Sequence, residues 1–414
     1  MRVLLLSNTL GRWGDINGVE YTYNSLLPHF RKSGIQVDCV TYGPTESYFT
    51  DGIVSIRTHK PLWPVRIDPT LRIDPALLLD MNLHFTNLAR EIYSKDYDVV
   101  HTATPDPLGM IGNRLAKERG TPLVGAYHTA VDKYARIRVG KALGSNAGRM
   151  AGFVVNRFLK SYYNEADLVI VPSHYVKDEL SKELKTRVEV LTHGIDTYLF
   201  SPEKRERNDG KVQALYVGRV APEKNMQLLT AIFSKRRDVE LKVVGDGPYL
   251  QEMKRVAPDA TYTGMLTGEA LYRAFADADF FVFPSRTDTF GNVVLQALGS
   301  GLPVVVTDGM APKEQIQHGV TGFVANDDND FLRFVDTLVW SPALRQKMGL
   351  AARAYAEGET WGSVFETLLT QYELAAKLQK DRRRDPRRDY SPIPMFGTDY
   401  SPLDIHPYWP TAGR

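Results

Sequence analysis

Short apolar runs recur along the chain, each followed by a longer stretch in which apolar and polar residues mix at helical spacing. The early runs are VLLLSN (3–8), VDCVTY (37–42), DVVHTA (98–103), PLVGAYHT (122–129) and DLVIVPS (167–173). The later ones are QALYVG (213–218), LKVVGDGP (241–248), ADFFVFPS (278–285), PVVVTD (303–308) and GFVAN (322–326). Near-continuous Val, Ile and Leu suit strands covered on both faces, as in parallel sheets. Their alternation with helical stretches predicts β-α-β units and an α/β fold.

The polar segment SPEKRERNDGK (201–211) parts the two series. Seven of its residues are charged, and it has a Pro, a Gly and no apolar period. It predicts a linker over about 196–210, between a first domain at 1–195 and a second at 211–354. Ligands of open parallel sheets sit beyond the carboxyl ends of the strands, so two facing sheets predict a cleft lined by loops from both. Trp361, Val364, Phe365, Leu368 and Tyr372 recur at three- and four-residue spacing and predict one more helix over about 360–378. From 379 onward the chain turns charge-dense (KDRRRDPRRD, 380–389) and then rich in Pro and aromatic residues, which predicts a solvated or loosely docked tail over 379–414.

Bulk properties narrow the class. A chain of 414 residues exceeds what one core usually organises, in keeping with two domains. Lys plus Arg number 51 and Asp plus Glu 49, so bulk charge gives no reason to expect a nucleic-acid partner. A single cysteine, Cys39, excludes an intramolecular disulfide and a Cys-rich zinc site, and fits a reducing, cytoplasmic setting. No apolar run approaches the ~20 residues that span a bilayer. The N-terminal MRVLLLSNTL reads as a first buried strand rather than a signal peptide. Residues 133–160 mix Lys133, Arg136, Arg138, Lys141, Arg149, Arg157 and Lys160 with Val139, Leu143, Met150, Phe153, Val154, Val155 and Phe158, and carry no acidic residue. That segment is either a helix with its positive face in water or a peripheral contact for an anionic membrane.

Candidate chemistry concentrates in loops after the strands. Thr287-Asp288-Thr289-Phe290-Gly291-Asn292 opens a helix, whose first turn leaves N–H groups unpaired and suits phosphate or sugar oxygens. Asp288 is either a helix cap or an acceptor for sugar hydroxyls. Gln296 lies slightly over two turns on and shares roughly its face. Arg219 and Lys224 in VGRVAPEKN (217–225) form either a solvated basic loop or a compact anion pocket, with Arg as a fork and Lys as a point charge. GDGP (245–248) is a turn signal. Gly18, in Asn17-Gly18-Val19-Glu20, lets a diphosphate approach the backbone if it is more than a plain turn. His128, in Tyr127-His128-Thr129, ends the fourth strand where the cleft is expected. Asp277-Ala278-Asp279 is a D-x-D, yet it sits between a helix end and a strand edge, and no metal site is expected there.

From about residue 1 to 375 the chain resembles glycosyltransferase family 4, of GT-B architecture. The resemblance is carried by Gly18-Val19-Glu20, Tyr127-His128-Thr129, VPSHYVKDEL (171–180), HGIDTYLFSP (193–202), VGRVAPEKN, VVGDGP and TDTFGNVVLQALGSGLPVV (287–305). It looks nearest to bacterial mannosyltransferase-like and sulfoquinovosyl- or glycolipid-forming branches. The resemblance implies two Rossmann-like domains, with the helix at about 360–378 crossing back onto the first. It implies retaining transfer of a hexose from a nucleoside diphosphate sugar, GDP-mannose or a UDP-hexose, to a lipid, glycan or small-molecule hydroxyl. No cofactor or metal is implied, because two cations stand in for one.

Position by position, it places Arg219, Lys224 and Gly18 on the donor diphosphate and Asp288 on the transferred sugar. Backbone at Phe290, Gly291 and Asn292 assists. Gln296 faces the ribose, Gly264 and Met265 lie near the base, and His128 lies near the anomeric carbon. Three residues depart from the family pattern. Asp288 is one methylene shorter than the usual Glu, Gln296 replaces a second Glu, and Asn17 stands where many members have Gly. The first two leave donor identity open and keep a catalytically weakened sugar-nucleotide-binding subunit as the alternative.

Overall fold

A computed structural model describes residues 1–8, 10, 18–42, 47–59 and 92–384 of the chain; Asn17 and residues 385–414 of the expected tail lie outside them. The first domain runs β1 (Arg2–Leu6), α1 (Gly18–Ser33), β2 (Gln36–Tyr42), β3 (Ser47–Thr50), β4 (Val54–His59), β5 (Val99–Thr102) and α2 (Pro107–Arg119). It continues with β6 (Leu123–Ala126), α3 (Val131–Leu143), α4 (Ser145–Asn164), β7 (Leu168–Val171), α5 (His174–Glu183) and β8 (Arg187–Val190). The strands form one sheet in the order β3-β4-β2-β1-β5-β6-β7-β8, parallel except for β3. The N-terminal apolar run is thus a strand inside the sheet, between β2 and β5, with Val3, Leu4, Leu5 and Leu6 buried. Burying each such side chain is worth roughly 1.5–3 kcal/mol.

The second domain runs β9 (Gln213–Val217), α6 (Met226–Phe233), β10 (Glu240–Val244), α7 (Leu250–Val256), β11 (Thr261–Gly264) and α8 (Gly268–Ala276). Then come β12 (Phe280–Phe283), α9 (Asn292–Gly299), β13 (Val304–Thr307), β14 (Gly322–Ala325), α10 (Asp328–Trp340) and α11 (Pro342–Gly358). Its sheet is wholly parallel, in the order β11-β10-β9-β12-β13-β14. Every apolar run picked out in the sequence forms a strand. The strands it missed, β3, β4, β8 and β11, lie at or beside sheet edges. Exposure there lets polar residues intrude: in β8 only Val188 is buried.

A final helix, α12 (Trp361–Arg384), returns to the first domain. Trp361, Val364, Phe365, Leu368, Tyr372 and Ala375 enter the same core as Val3, Leu5, Val124 and Leu168. The helix runs six residues beyond the expected 378 because its charged end finds partners. The Gln379 amide donates to the Gly120 carbonyl at 2.7 Å. The Arg382 guanidinium reaches the Asp167 carboxylate at 3.0 Å and the carbonyls of Asn164, Glu165 and Ala166. The start of the expected loose tail is therefore docked.

The polar segment between the two strand series is a strap on the second domain. Ser201 caps a short turn at Pro202–Lys204. Arg205 and Arg207 bind Asp279, and the N–H groups of Glu206 and Arg207 donate to Asp277. The D-x-D carboxylates thus fasten the strap. The crossing between domains lies earlier, where Leu191 belongs to the first core and Ile195 to the second. Ile195 N donates to the Glu359 carbonyl at 2.8 Å, and Ile195 bridges Thr360 on the returning chain. Gly194 is required at this crossing, since a Cβ there would come within 2.5 Å of the Trp361 nitrogen.

Candidate active site

The carboxyl end of β9 feeds the VGRVAPEKN loop, which turns through Pro222–Lys224 into α6. The GDGP turn after β10 holds it from behind: Val220 N donates to Asp246 O at 2.9 Å and Tyr249 N to Val220 O at 3.0 Å. Contact is so close that a Cβ on Gly245 would meet the Gly218 carbonyl at 1.9 Å. GDGP, a bare turn signal in the sequence, is the buttress of the basic loop.

The loop after β12 comes to the same place. Lys224 Nζ lies 2.6 Å from Asp288 Oδ1, with both side chains largely shielded from solvent. Burial works against the ammonium charge, but the Asp288 carboxylate, with Tyr134 and Tyr216, holds the Lys224 pKa above the usual lysine range. The second carboxylate oxygen, Asp288 Oδ2, is buried without a hydrogen-bond partner. Thr287 Oγ1 donates to the Glu223 carbonyl at 3.2 Å, so the two loops form one wall. The Glu223 carboxylate lies 3.7 Å from Arg219 and 3.9 Å from Arg138, which reaches across from α3 of the first domain. Gly291, in the left-handed region at φ 84°, precedes α9 as its cap residue and gives it no side-chain cap. Val294 N donates to Gly291 O at 2.8 Å, and the first turn carries the positive end of the helix dipole.

The facing wall is built of rings. His128 follows β6; its Nε2 is 3.0 Å from the Tyr23 hydroxyl, and its Nδ1 is buried without a partner. The backbone carbonyl of His128 accepts from Thr289 Oγ1 at 2.5 Å, which puts the residue after Asp288 directly on the strand end carrying His128. His193 packs on the Phe290 ring, and its Nδ1 lies 2.5 Å from Asn292 Oδ1. Burial pushes the His193 imidazole down to about 4, with the Asn292 contact opposing. Burial, reinforced by His193 and His101, holds His128 well below its ordinary value. Both rings are neutral at pH 7.

Gly18, the first residue of α1, faces Asn292: a Cβ there would lie 3.2 Å from its Nδ2. Gln296, one turn further along α9, is buried beside Tyr21. Gly264 and Met265 sit apart from the charged cluster: Gly264 ends the edge strand β11 and Met265 follows it. Gly264 O accepts from Gly245 N at 2.8 Å, and Met265 is exposed. A cavity opens from the seam into the first domain, bounded by Tyr127, Asp132, Lys133 and Tyr175, with Thr289 and Met310 at its second-domain edge. Beside it, the Glu314 carboxylate of the second domain accepts from His174 N at 2.9 Å and Tyr175 N at 2.5 Å, capping the first turn of α5 across the gap.

The structure thus gathers Arg219, Lys224, Asp288, Phe290, Gly291, Asn292, Gly18 and His128 at one seam, with Gln296 deeper in it; Gly264 and Met265 are not part of that group. Sequence reasoning did not single out Glu223, His193 or Tyr23; it named Thr289 only as a member of its loop and Arg138 only as part of the basic 133–160 segment. His193 heads the HGIDTYLFSP stretch, which was a usable signal, whereas Tyr23 lies in an unremarked helical pattern.

Residues 16–199 match the family described as Glycosyltransferase Family 4, and residues 211–340 match Glycosyl transferases group 1. A GDP-mannose-dependent alpha-mannosyltransferase of Mycobacterium tuberculosis is 30% identical over 87% of this chain and 93% of its own length. One of the same description from Mycolicibacterium smegmatis is 29% identical over 90% and 97%. A sulfoquinovosyl transferase, SQD2 of Arabidopsis thaliana, is 27% identical over 87% and 71%. Among solved structures, a sucrose-phosphate synthase from Thermosynechococcus elongatus superposes with a TM-score of 0.74 at 19% identity, over 90% of this chain and 98% of that one. The chain belongs to glycosyltransferase family 4 and is a hexosyl-transferring enzyme of GT-B architecture.

Proposed function

We propose that this enzyme transfers a hexose from a nucleoside diphosphate sugar to a hydroxyl of a lipid, glycan or small molecule, with retention and without a metal. The reading rests on one observation: Asp288 Oδ2 and His128 Nδ1, both buried and unpaired, stand on opposite walls of a seam stitched by the Thr289 contact. Buried polar atoms are normally satisfied. A sugar bearing several hydroxyls between them supplies the missing partners. Lys224 and Arg219 take the diphosphate, together with the open first turn of α9.

In the transfer, the bond from the anomeric carbon to the phosphate oxygen breaks and one to the acceptor oxygen forms on the same face. The acceptor proton passes to the departing phosphate. Negative charge gathers on the diphosphate as it leaves. Lys224 and Arg219 are preorganised to meet it, which is where electrostatic catalysis acts. Asp288 holds Lys224 in place and offers its free oxygen to a sugar hydroxyl. The acceptor enters through the cavity beside Tyr127 and Tyr175. Closure across the Glu314 contact keeps water from the sugar.

A lipid acceptor at a membrane fits α4. Met150, Phe153 and Val154 are exposed on its outer face between Arg149 and Arg157, with Leu143 exposed at the hairpin turn. Lys133 and Arg138 of the same segment turn towards Tyr175 and Glu223, and Lys160 pairs with Glu183 at the surface. The outward residues form a face for anionic lipid. Among the described residues no helix is long and apolar enough to cross a membrane.

The test is a panel of GDP-mannose and UDP-hexoses, with membrane extract and anionic vesicles, read by mass spectrometry in the presence of EDTA. Transfer with retained anomeric configuration is expected. Loss of transfer on chelation, restored by a divalent ion, refutes the metal-free mechanism. Binding of UDP or GDP without transfer or hydrolysis marks the weakened subunit that Gln296 raises as the alternative.

A further inference from the structure

The partner of His128 Nε2 is one link in a buried chain that crosses the first domain. The Tyr372 hydroxyl on α12 lies 2.7 Å from His101 Nδ1. His101 Nε2 lies 2.9 Å from the Tyr23 hydroxyl, and that hydroxyl lies 3.0 Å from His128 Nε2. His101, Tyr23 and Tyr372 are each no more than 2% exposed. They come from β5, α1 and the returning helix, and none was singled out in the sequence for chemistry.

Donor counting gives the chain a direction. A neutral imidazole has one N–H and one lone pair, and a phenol has one hydrogen. His101 is neutral, because burial pushes it down to about 3. The one hydrogen-bond partner of the Tyr372 hydroxyl among the described residues is His101 Nδ1. Its hydrogen goes there, since withholding it in the core would cost about 1–3 kcal/mol. His101 then carries its proton on Nε2 and donates to the Tyr23 oxygen. Tyr23 has one hydrogen left and gives it to His128 Nε2. With Nε2 accepting, the His128 proton is on Nδ1, the buried nitrogen without a partner.

We propose that Tyr372, His101 and Tyr23 are positioning residues that lock His128 as its Nδ1–H tautomer, so that this nitrogen donates to an oxygen of the transferred sugar. The identity of that oxygen rests on the reading of the seam as the sugar site; the tautomer does not. The arrangement has a chemical use. Glycosyl transfer passes through an oxocarbenium-like state with positive charge at the anomeric carbon. A neutral N–H donor holds the sugar without adding a second positive charge, which an imidazolium would do. The opposite tautomer would present a lone pair and could grip only a hydroxyl hydrogen.

The test is nitrogen NMR of histidine-labelled protein, free of ligand, with His128 assigned by substitution. The wild type is expected to show the Nδ1–H form at His128, and Tyr23→Phe a mixture shifted towards Nε2–H. Tyr372→Phe removes only the far end of the chain and is expected to shift the His128 tautomer in the same direction, by less. With a donor sugar, Tyr23→Phe is expected to lower kcat about 10-fold while KM for the donor and affinity for UDP or GDP change less than twofold. An Nε2–H form in the wild type, or a tautomer unmoved by both variants, overturns the relay. An unchanged kcat in Tyr23→Phe overturns its role in transfer. Absence of transfer by the wild type sinks the sugar-site reading and leaves the tautomer measurement standing.

Discussion

The two walls of the seam solve the same problem with opposite materials. The second domain supplies charge: Arg219, Lys224, Glu223 and Asp288, all on two short loops after β9 and β12. The first domain supplies chiefly neutral rings: His128 and His193, backed by Tyr23 and His101, with charge suppressed by burial. Arg138, which reaches across to Glu223, is its cationic exception. Under the proposed transfer, a leaving diphosphate gathers negative charge and would meet the cationic wall, which a carboxylate holds in place. The sugar turns positive as the bond stretches, and under the same proposal it would meet the uncharged rings. On the function proposed above, the diphosphate would meet the charged loops and the sugar ring would meet both walls.

The largest expected effect tests the charged wall. Lys224→Ala removes the cation closest to Asp288 and is expected to lower kcat by roughly 10²–10³, as for loss of one stabilising donor. The variant also strands a shielded carboxylate, which costs on the order of 3–5 kcal/mol. Turnover is therefore measured at a temperature where melting curves show wild type and variant both folded. Near wild-type kcat there would mean the diphosphate is held elsewhere, and the division of labour fails.

That half of the site was the legible half. Arg219 and Lys224 are five residues apart, and Asp288 to Asn292 form one continuous loop before a helix. Local spacing therefore carries the chemistry, and strand-end loops of a parallel sheet are where ligands sit. Even there the sequence did not reveal that Lys224 and Asp288 pair, or that GDGP buttresses the loop. Those are contacts between neighbouring strands. The neutral wall was largely illegible. His128 was placed at a strand end, but Tyr23, His101, His193 and Tyr372 are spread over most of the chain and meet only through sheet order and the returning helix. Apolar periodicity places a residue on a face, not the tyrosine hydroxyl that finds an imidazole behind it. The fold was readable for a related reason: strands buried on both faces are apolar throughout, and those that escaped notice lie at sheet edges.

The neutral wall has its own signature, in acid. A histidine titrates near 6.5 in the unfolded chain, whereas His193 stays neutral down to about 4 and His101 to about 3. His128 is depressed as well. Between those values the unfolded chain binds more protons, so these groups stabilise fully above pH 6.5 and less as pH falls towards 4. For His193 alone the contribution is on the order of 3 kcal/mol. Asp106 acts the other way, since burial raises it to about 6 and folding then favours its protonated form. Burial also raises Asp167 and Glu359, and it lowers His29. The depressions of His101, His128 and His193 are the largest of these shifts, so the net expectation is a Tm that falls from pH 7 to pH 4.5. A flat Tm over that range would show the rings already charged, and the contrast between the walls would disappear.

The smallest effect concerns how the walls are brought together. Glu314 places its carboxylate on the first turn of α5, where two N–H groups and the helix dipole favour a negative charge. An exposed contact of this kind is worth about 0.3–1 kcal/mol. If it favours the closed seam, Glu314→Gln shifts the open–closed balance by about 2–5-fold. Because both walls keep all their groups, the intrinsic step is untouched. What changes is the fraction of bound donor that is sealed from water. The variant is expected to lower kcat/KM for transfer by about that factor and to raise the ratio of donor hydrolysis to transfer, an effect neither Lys224→Ala nor acid should produce. Equal loss of hydrolysis and transfer would place Glu314 in the chemistry of a wall rather than in the closing of the two.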